Sequence, residues 1–319
     1  MKNKFVAINL IIVGTIFLLH NTLVFGEVAN NSQDSNIPEA EWIDIDIGGG
    51  KSIKIDDADF SLAKNNYYVS LFARNIPQII DELRNKGNEL KKICNLFAGR
   101  GTLAIAFAKH IPEVEIIAVD NQKEAWNLVT ENAQTSGVSD RIKIVNEDAF
   151  KFLSKEDEFD LIICNFPFIP RDMGRFSDAA ISSSPELISI FKDNSPDGRY
   201  FIDRLITDFA VKSLKPGGAI LFMQGDFTNM EKTVYLMRQQ GLVPFSIGGK
   251  DSYVIASETR FLKNTHLTQS LKDYIEGIKP GIEGIKPYRF GNDVSGEPVF
   301  QALVVGGIKP KTQSRQNSK

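Results

Sequence analysis

Cysteine and histidine are scarce, with two of the former and three of the latter in 319 residues. Cys94 and Cys164 both fall inside apolar strand patterns and read as small core residues, which leaves no disulfide framework and no zinc spacing. His20, His110 and His266 are scattered, so no metal site is expected, and none stands in a pattern with a serine or cysteine nucleophile. A basic excess is also missing: 37 Lys and Arg stand against 40 Asp and Glu, for a net charge of −3. That balance disfavours a broad nucleic-acid footprint without excluding a local patch. What is present is an ordinary globular composition, 42% hydrophobic and 24% charged, on a chain long enough to bury a full core in one domain with appendages.

Lys2 and Lys4 precede an apolar run from Phe5 to Phe25, and Val24-Phe25-Gly26 is a small-residue cleavage pattern. Residues 1–26 therefore read as a secretory signal or an uncleaved anchor, with membrane association through residues 5–25. The lysines, followed by Glu27, Asp34, Glu39 and Glu41, place the amino terminus inside and the remainder outside. Residues 27–41 read as a linker. Alternation over Trp42–Ile47 and Ser52–Ile55 around Gly48-Gly49-Gly50 predicts a β-hairpin within residues 42–65. From Asn66 to Lys86 the residues Tyr68, Leu71, Phe72, Ile76, Ile79, Ile80 and Leu83 recur at helical spacing, and Pro77 kinks or splits that helix.

Four strand patterns follow: Ile93–Phe97, Val114–Val119, Arg141–Val145 and Phe159–Cys164. Gly99 and Gly101 let the backbone turn tightly between the first strand and a helix over Thr102–Lys109. The second strand runs into Asp120, where a carboxylate at the carboxyl edge of a parallel sheet can accept both hydroxyls of a ribose. The third ends near Glu147-Asp148, and the fourth in Asn165-Phe166-Pro167-Phe168. A long irregular segment, residues 169–197, leaves the sheet as a substrate lid. Then come a helix over Tyr200–Leu214, a turn at Lys215–Gly218, a strand over Ala219–Met223, a helix over Met230–Gln240, and strands near Val243–Ile247 and Tyr253–Ala256. This predicts one α/β domain over residues 66–258, with a Rossmann-like, seven-stranded, mostly parallel sheet, helices on both faces and an antiparallel edge strand. Residues 259–308 form an extension holding the tandem copies Ile275–Gly281 and Ile282–Pro287, with a strand candidate at Val299–Val305, and residues 309–319 a disordered basic tail.

Gly99-Arg-Gly101-Thr-Leu-Ala104, with Asp120 about 20 residues on, fits a nicotinamide dinucleotide turn as well as it fits other nucleoside cofactors. The end of the fourth strand separates the two. Asn165-Phe166-Pro167-Phe168 resembles the Asn/Asp-Pro-Pro-Tyr/Phe motif of the class I S-adenosylmethionine (SAM) methyltransferases that act on amino and amide nitrogen. With the hairpin, Pro196-Asp-Gly198 and Leu214–Gly218, the chain resembles the HemK/PrmC release-factor glutamine methyltransferases over about Trp42–Ser257.

The resemblance implies SAM as cofactor. It assigns Asn95, Phe97, Gly99, Gly101, Asp120, Asn121, Asp148 and Ala149 to its binding, with Asp148 accepting from the adenine amino group. It assigns Asn165, Phe166, Pro167 and Phe168 to catalysis: the Asn165 side-chain oxygen and the Phe166 carbonyl accept the two N–H bonds of a flat NH2 group, Pro167 shapes the turn and Phe168 offers an aromatic face. Three positions depart from the family pattern. Asn95 stands where an acid is usual, Phe97 replaces the first glycine, and Phe166 replaces the first proline. The expected function is N-methylation of a protein glutamine or similar planar nitrogen. A nucleic-acid amino methyltransferase, using a surface around Arg171 and Arg175, and a catalytically silent SAM-binding module are the alternatives. SAM is made in the cytosol, so the amino-terminal segment leaves open an unusual compartment, a reversed anchor or a misassigned start.

Overall fold

The computed structural model describes residues 42–56, 67–155, 158–166, 195, 197–225, 228–247, 253–255, 291–292 and 298–311. The expected leader over residues 1–26, the linker, most of the expected lid, the tandem copies and the end of the tail lie outside them. Among the described residues no helix is long and apolar enough to cross a membrane.

Strands β1 (Trp42–Gly48) and β2 (Lys51–Asp56) form the expected hairpin. Its turn docks where α1 (Tyr67–Arg74) meets α2 (Ile76–Asn85): Gly48 has φ +77°, and a Cβ there would stand 2.3 Å from the Arg74 carbonyl oxygen. The predicted helix is split, one of the two outcomes expected of Pro77, at Asn75, because the proline suits a first helical turn and not an interior. Ile76, Ile79, Ile80 and Leu83 give α2 one buried stripe.

The main sheet holds β3 (Lys92–Leu96), β4 (Glu115–Asp120), β5 (Ile142–Asn146), β6 (Phe159–Cys164), β7 (Leu214–Gly225), β8 (Val243–Ile247) and β11 (Pro298–Ile308). Small strands β9 (Tyr253–Ile255) and β10 (Gly291–Asn292) pair with the first part of β11. Strands β5, β4, β3, β6 and β7 run parallel in that spatial order. Every residue of β6 is buried, as a central strand covered on both faces requires. Helix α3 (Thr102–His110) is buried from Thr102 to Ala108, while α4 (Lys123–Thr135) buries one face through Ala125, Val129 and Ala133. Asn132 on that face accepts from the Asp56 N–H at 2.8 Å and donates to the Arg100 carbonyl at 3.0 Å, tying the hairpin to the glycine turn.

Two expectations change here. The antiparallel strand is β11, inserted between β7 and the edge strand β8 and antiparallel to both, so the extension assigned to residues 259–308 supplies a strand of the sheet itself. Its end is tied down too, since the Lys309 N–H donates to Gly218 at 2.8 Å and its ammonium to the Val211 and Leu214 carbonyls. Lys215–Gly218, expected as a turn, is instead an irregularity inside β7: Leu214 pairs with Phe159 and Ala219 with Leu161. Gly217 there has φ +84°, and Gly218 comes so near Phe159 that a Cβ would lie 2.8 Å from its carbonyl oxygen. Such close approaches are what glycine permits.

Before β7 the helix is segmented into α6 (Tyr200–Arg204), a π-helical stretch Leu205–Ala210 and α7 (Val211–Ser213); after it come α8 (Met230–Gln239) and β8. Helix α5 (Ala149–Leu153) links β5 to β6.

Candidate active site

The register sets the site. Leu96 of β3 pairs with Val119 of β4 on one side and with Cys164 of β6 on the other. The next residues, Phe97, Asp120 and Asn165, therefore stand in one row at the carboxyl edge. With strands about 4.8 Å apart, Asp120 and Asn165 are roughly 10 Å from each other across the Phe97 turn.

The turn after β3 has positive φ at Phe97 (+51°), Gly99 (+52°) and Gly101 (+78°). At Gly101 a Cβ would stand 3.0 Å from Val129 Cγ1, so the glycine lets α3 and α4 approach. Gly99 is different: a Cβ there would meet nothing within 4 Å, so its bare backbone faces open space, and its N–H donates to Asp120 Oδ2 at 2.9 Å. Phe97 takes the left-handed region without being glycine, at a cost of roughly 1–2 kcal/mol.

Asp120 also accepts at Oδ1 from the Gln122 N–H, at 3.0 Å. Burial pushes its carboxyl pKa up, and the N–H groups of Gly99, Gln122 and Asn121 pull it back down. Each carboxylate oxygen keeps lone-pair capacity for an added hydroxyl. Asn121 is exposed beside it, and Trp126 steadies the strand end by donating to the Asp120 carbonyl at 3.4 Å. Asp148 is the N-cap of α5, its Oδ1 accepting from the N–H groups of Phe150 (3.1 Å) and Lys151 (2.9 Å). Capping therefore engages one carboxylate oxygen, Oδ1, while Ala149 is buried behind it.

Asn95 is 1% exposed and donates through Nδ2 to the Leu96 carbonyl at 3.1 Å and the Ile163 carbonyl at 3.5 Å. It ties β3 to β6, a role that an acid could not fill. Its Oδ1 is buried without a hydrogen-bond partner, and so is the Oδ1 of Asn165. Buried carboxamide oxygens are normally satisfied. Ile163 is the register partner of Asn95, so Asn165, two residues on, projects to the same face as its diagonal neighbour, about 7–8 Å away. Phe166 is 2% exposed, its ring packed at 5.5 Å on Phe222 and 6.0 Å on Phe201. A buried ring thus anchors the turn where the motif has its first proline. Pro167 and Phe168 lie outside the described residues.

Sequence reading did not find the surrounding shell. Phe97, Phe150, Phe166 and Phe201 form one aromatic cluster, and the Arg204 guanidinium sits 4.6 Å from the Phe150 ring centroid while donating to the Tyr200 hydroxyl at 2.9 Å. Arg199, 1% exposed, donates to the carbonyls of Thr228 and Asn229 and to Asp203, joining α6 to the loop before α8. Gln224, fully buried at the end of β7, also donates to Thr228. A buried arginine leaves no periodic signal, although Arg199 next to Pro196-Asp-Gly198 marks a turn into a helix. Among the described residues no three His, Cys, Asp or Glu side chains gather as metal ligands.

A sheet of this order, with a glycine turn after its central strand, an acid ending the next and Asn-x-Pro ending the fourth, is the arrangement of class I SAM-dependent methyltransferase domains. The chain carries it in a particular form: residues 76–181 match the methyltransferase small domain. The release factor glutamine methyltransferase of Clostridium acetobutylicum is 31% identical over 147 residues, 43% of this chain and 48% of that protein. That of Bordetella pertussis is 29% identical over 157 residues, 49% of this chain and 56% of the relative. The tRNA1(Val) (adenine(37)-N6)-methyltransferase of Flavobacterium psychrophilum is 36% identical over 97 residues, 27% of this chain and 42% of that protein. The chain spans about half the length of the release-factor relatives it matches.

SAM fits the residues present. Gly99 offers a bare backbone facing open space, Asp120 offers carboxylate acceptors beside that turn, and Asn95 Oδ1 is an unfilled acceptor.

Proposed function

We propose that the chain is a SAM-dependent N-methyltransferase acting on a planar amide or amino nitrogen, with a protein glutamine as the preferred acceptor. The observation that carries this reading is the buried, unpartnered Oδ1 of Asn165 at the end of β6, in one row with the glycine turn and Asp120. An acceptor held there for an N–H leaves a desolvation cost that a substrate NH2 group repays.

When bound, the sulfonium cofactor supplies an electrophilic methyl group. Asp120 would hold its ribose, Asp148 Oδ2 its adenine amino group, and Asn95 Oδ1 its ammonium. The lone pair of an amide nitrogen is delocalised into the carbonyl and points at nothing. Two acceptors, Asn165 Oδ1 and the Phe166 carbonyl, would hold the two N–H bonds so that the nitrogen presents its π face to the methyl group. A carboxamide is no base, so Asn165 holds the N–H through the transfer, and the proton shed as the N–C bond forms and the S–C bond breaks passes to solvent. Catalysis then comes from alignment and from fixed dipoles in a site backed by the packed rings of Phe97, Phe166 and Phe201. Pro167 and Phe168 complete the acceptor turn in this reading.

The glutamine assignment is supported by the longer match to the release-factor enzymes, 147 residues against 97 for the tRNA enzyme, and by the net charge of −3. The experiment is transfer of labelled methyl from SAM into the protein and RNA fractions of a lysate. Label in protein is the expected result, and label confined to RNA moves the acceptor to an adenine-type amine. Asn165→Ala should lower transfer at least about 100-fold while S-adenosylhomocysteine affinity stays within about threefold. Calorimetry that finds NAD bound and S-adenosylhomocysteine unbound ends the methyltransferase reading. Residues 5–25 are proposed to hold the domain at a membrane, supported by Lys2 and Lys4 ahead of the run. The mass of the mature amino terminus and cell fractionation test that.

A further inference from the structure

We propose that Phe97 is a positioning residue that couples the cofactor turn to the acceptor turn, an inference that rests on the methyltransferase reading above. Phe97 stands between Leu96, the last residue of β3, and Ala98-Gly99, whose N–H holds Asp120. Its ring meets three others edge-on: Phe201 at 5.0 Å and 73°, Phe166 at 6.0 Å and 81°, Phe150 at 6.2 Å and 77°. Two of those rings lie near parallel to the third, Phe166 at 29° and Phe150 at 22° from Phe201. The Phe97 ring therefore stands on a layer built by three segments: the acceptor turn, through the neighbour of Asn165; helix α5, two residues past Asp148; and helix α6.

A bulky residue at φ +51° persists only where its surroundings over-determine it. The edge-on contacts are what do so here, because glycine would reach the same φ with no ring and without strain. Moving Phe166 shifts the support under Phe97, and the turn bearing Gly99 follows. Cofactor binding and acceptor placement then share one packed unit, and any coupling between them is reciprocal. A ring that merely filled core space would add stability without linking the two turns.

The test is a double-mutant cycle read by calorimetric affinity for S-adenosylhomocysteine, using the full chain, with Phe97→Gly, Phe166→Leu and the double variant. Phe166 is assigned no cofactor contact through its ring. Phe166→Leu is expected to weaken binding about three- to tenfold while Phe97 is present and by less than twofold once Phe97 is glycine. Effects that multiply in the double variant overturn the proposal. Phe97→Leu, which keeps an apolar side chain, repeats the cycle if the glycine variant does not fold. Phe222→Leu, which touches Phe166 but makes no ring contact with Phe97, should lower the melting temperature and leave the affinity unchanged; an equal loss of affinity there also overturns the proposal. A wild-type chain that binds no S-adenosylhomocysteine sinks the underlying reading first, and is distinguishable because no cycle can then be built.

Discussion

Asn95 and Asp120 sit on neighbouring strands and use burial in opposite ways. The Asn95 amide donates to two backbone carbonyls, so replacing it by the acid usual in the family turns two donors into a carboxylate facing carbonyl oxygens. Asn95→Asp is expected to destabilise the fold by about 2–4 kcal/mol at neutral pH. Burial raises the pKa of the new acid, so the deficit should be smallest below the unfolded carboxyl pKa and grow as pH rises through the folded one. Denaturant melts at several pH values check both size and trend. Asp120 is a native case of the same sign. Its folded pKa is raised by burial, so the charged form costs stability above that pKa and the cost vanishes below the unfolded value. Asp120→Asn should leave the cofactor-free protein at least as stable as wild type at neutral pH, with the difference closing on acidification. S-adenosylhomocysteine affinity should fall roughly ten- to hundredfold in the same variant. In wild type that affinity should weaken on acidification from a pH above the ordinary Asp range, and in the variant this carboxylate-linked weakening should disappear. The placement of Gly99 and Asp120 beside one turn could be read from local spacing, because strand, turn and acid follow one another within one βαβ unit. The tie from Asn95 to Ile163 could not, since it crosses 68 residues of sequence and depends on β3 and β6 being neighbours.

Among the elements, β11 shows where local reading ends. Val299–Val305 is recognisable as a strand, yet nothing in its own residues says that it inserts between β7 and β8; strand order is set by packing over the whole sheet. Gly306 records that placement. A Cβ there would lie 2.5 Å from Leu221 Cδ2 and 2.7 Å from the Phe245 ring, so both neighbouring strands close on the glycine. Gly306→Ala should destabilise by about 1–3 kcal/mol through overpacking, read as a lower melting temperature with spectra otherwise native. The tandem copies upstream share the Gly-Ile-Lys-Pro of Gly307–Pro310 but carry Glu276 and Glu283 where β11 has Gly306. Ending the chain at residue 258, the boundary that the local pattern suggests, would remove the strand that joins β7 to β8. Such a truncation should be insoluble or unfolded, and a soluble, cooperatively melting 1–258 fragment would show that β11 is dispensable.

On the scale of the whole molecule, chemistry and stability are assigned to opposite edges of one sheet. The carboxyl edge holds the unpartnered oxygens of Asn95 and Asn165 and the open face of Gly99. At the amino edge Asp160 and Asn88 form a latch whose polar groups are satisfied. Asp160 accepts from the N–H groups of Lys91 and Lys92 and from the Lys215 ammonium, and Asn88 bridges the carbonyls of Asp160 and Gly217 at 2.7 and 3.0 Å while accepting from the Leu90 N–H at 2.9 Å. The groove of about 590 Å³ at that end, lined by residues such as Glu113, Asp140 and Lys143, lies away from every residue assigned to the cofactor or the acceptor. Asn88→Ala removes three bonds from a side chain that is 6% exposed and leaves two carbonyls and an N–H without partners, so stability should drop by about 2–4 kcal/mol. If the two edges are independent, S-adenosylhomocysteine affinity in that variant should stay within twofold of wild type at a temperature where both are folded, because β3 and β6 reach the site through ladders that the substitution leaves intact. A parallel loss of affinity would mean that strain at the amino edge travels along β3 and β6 to the turn, and the site would then depend on the latch beneath it.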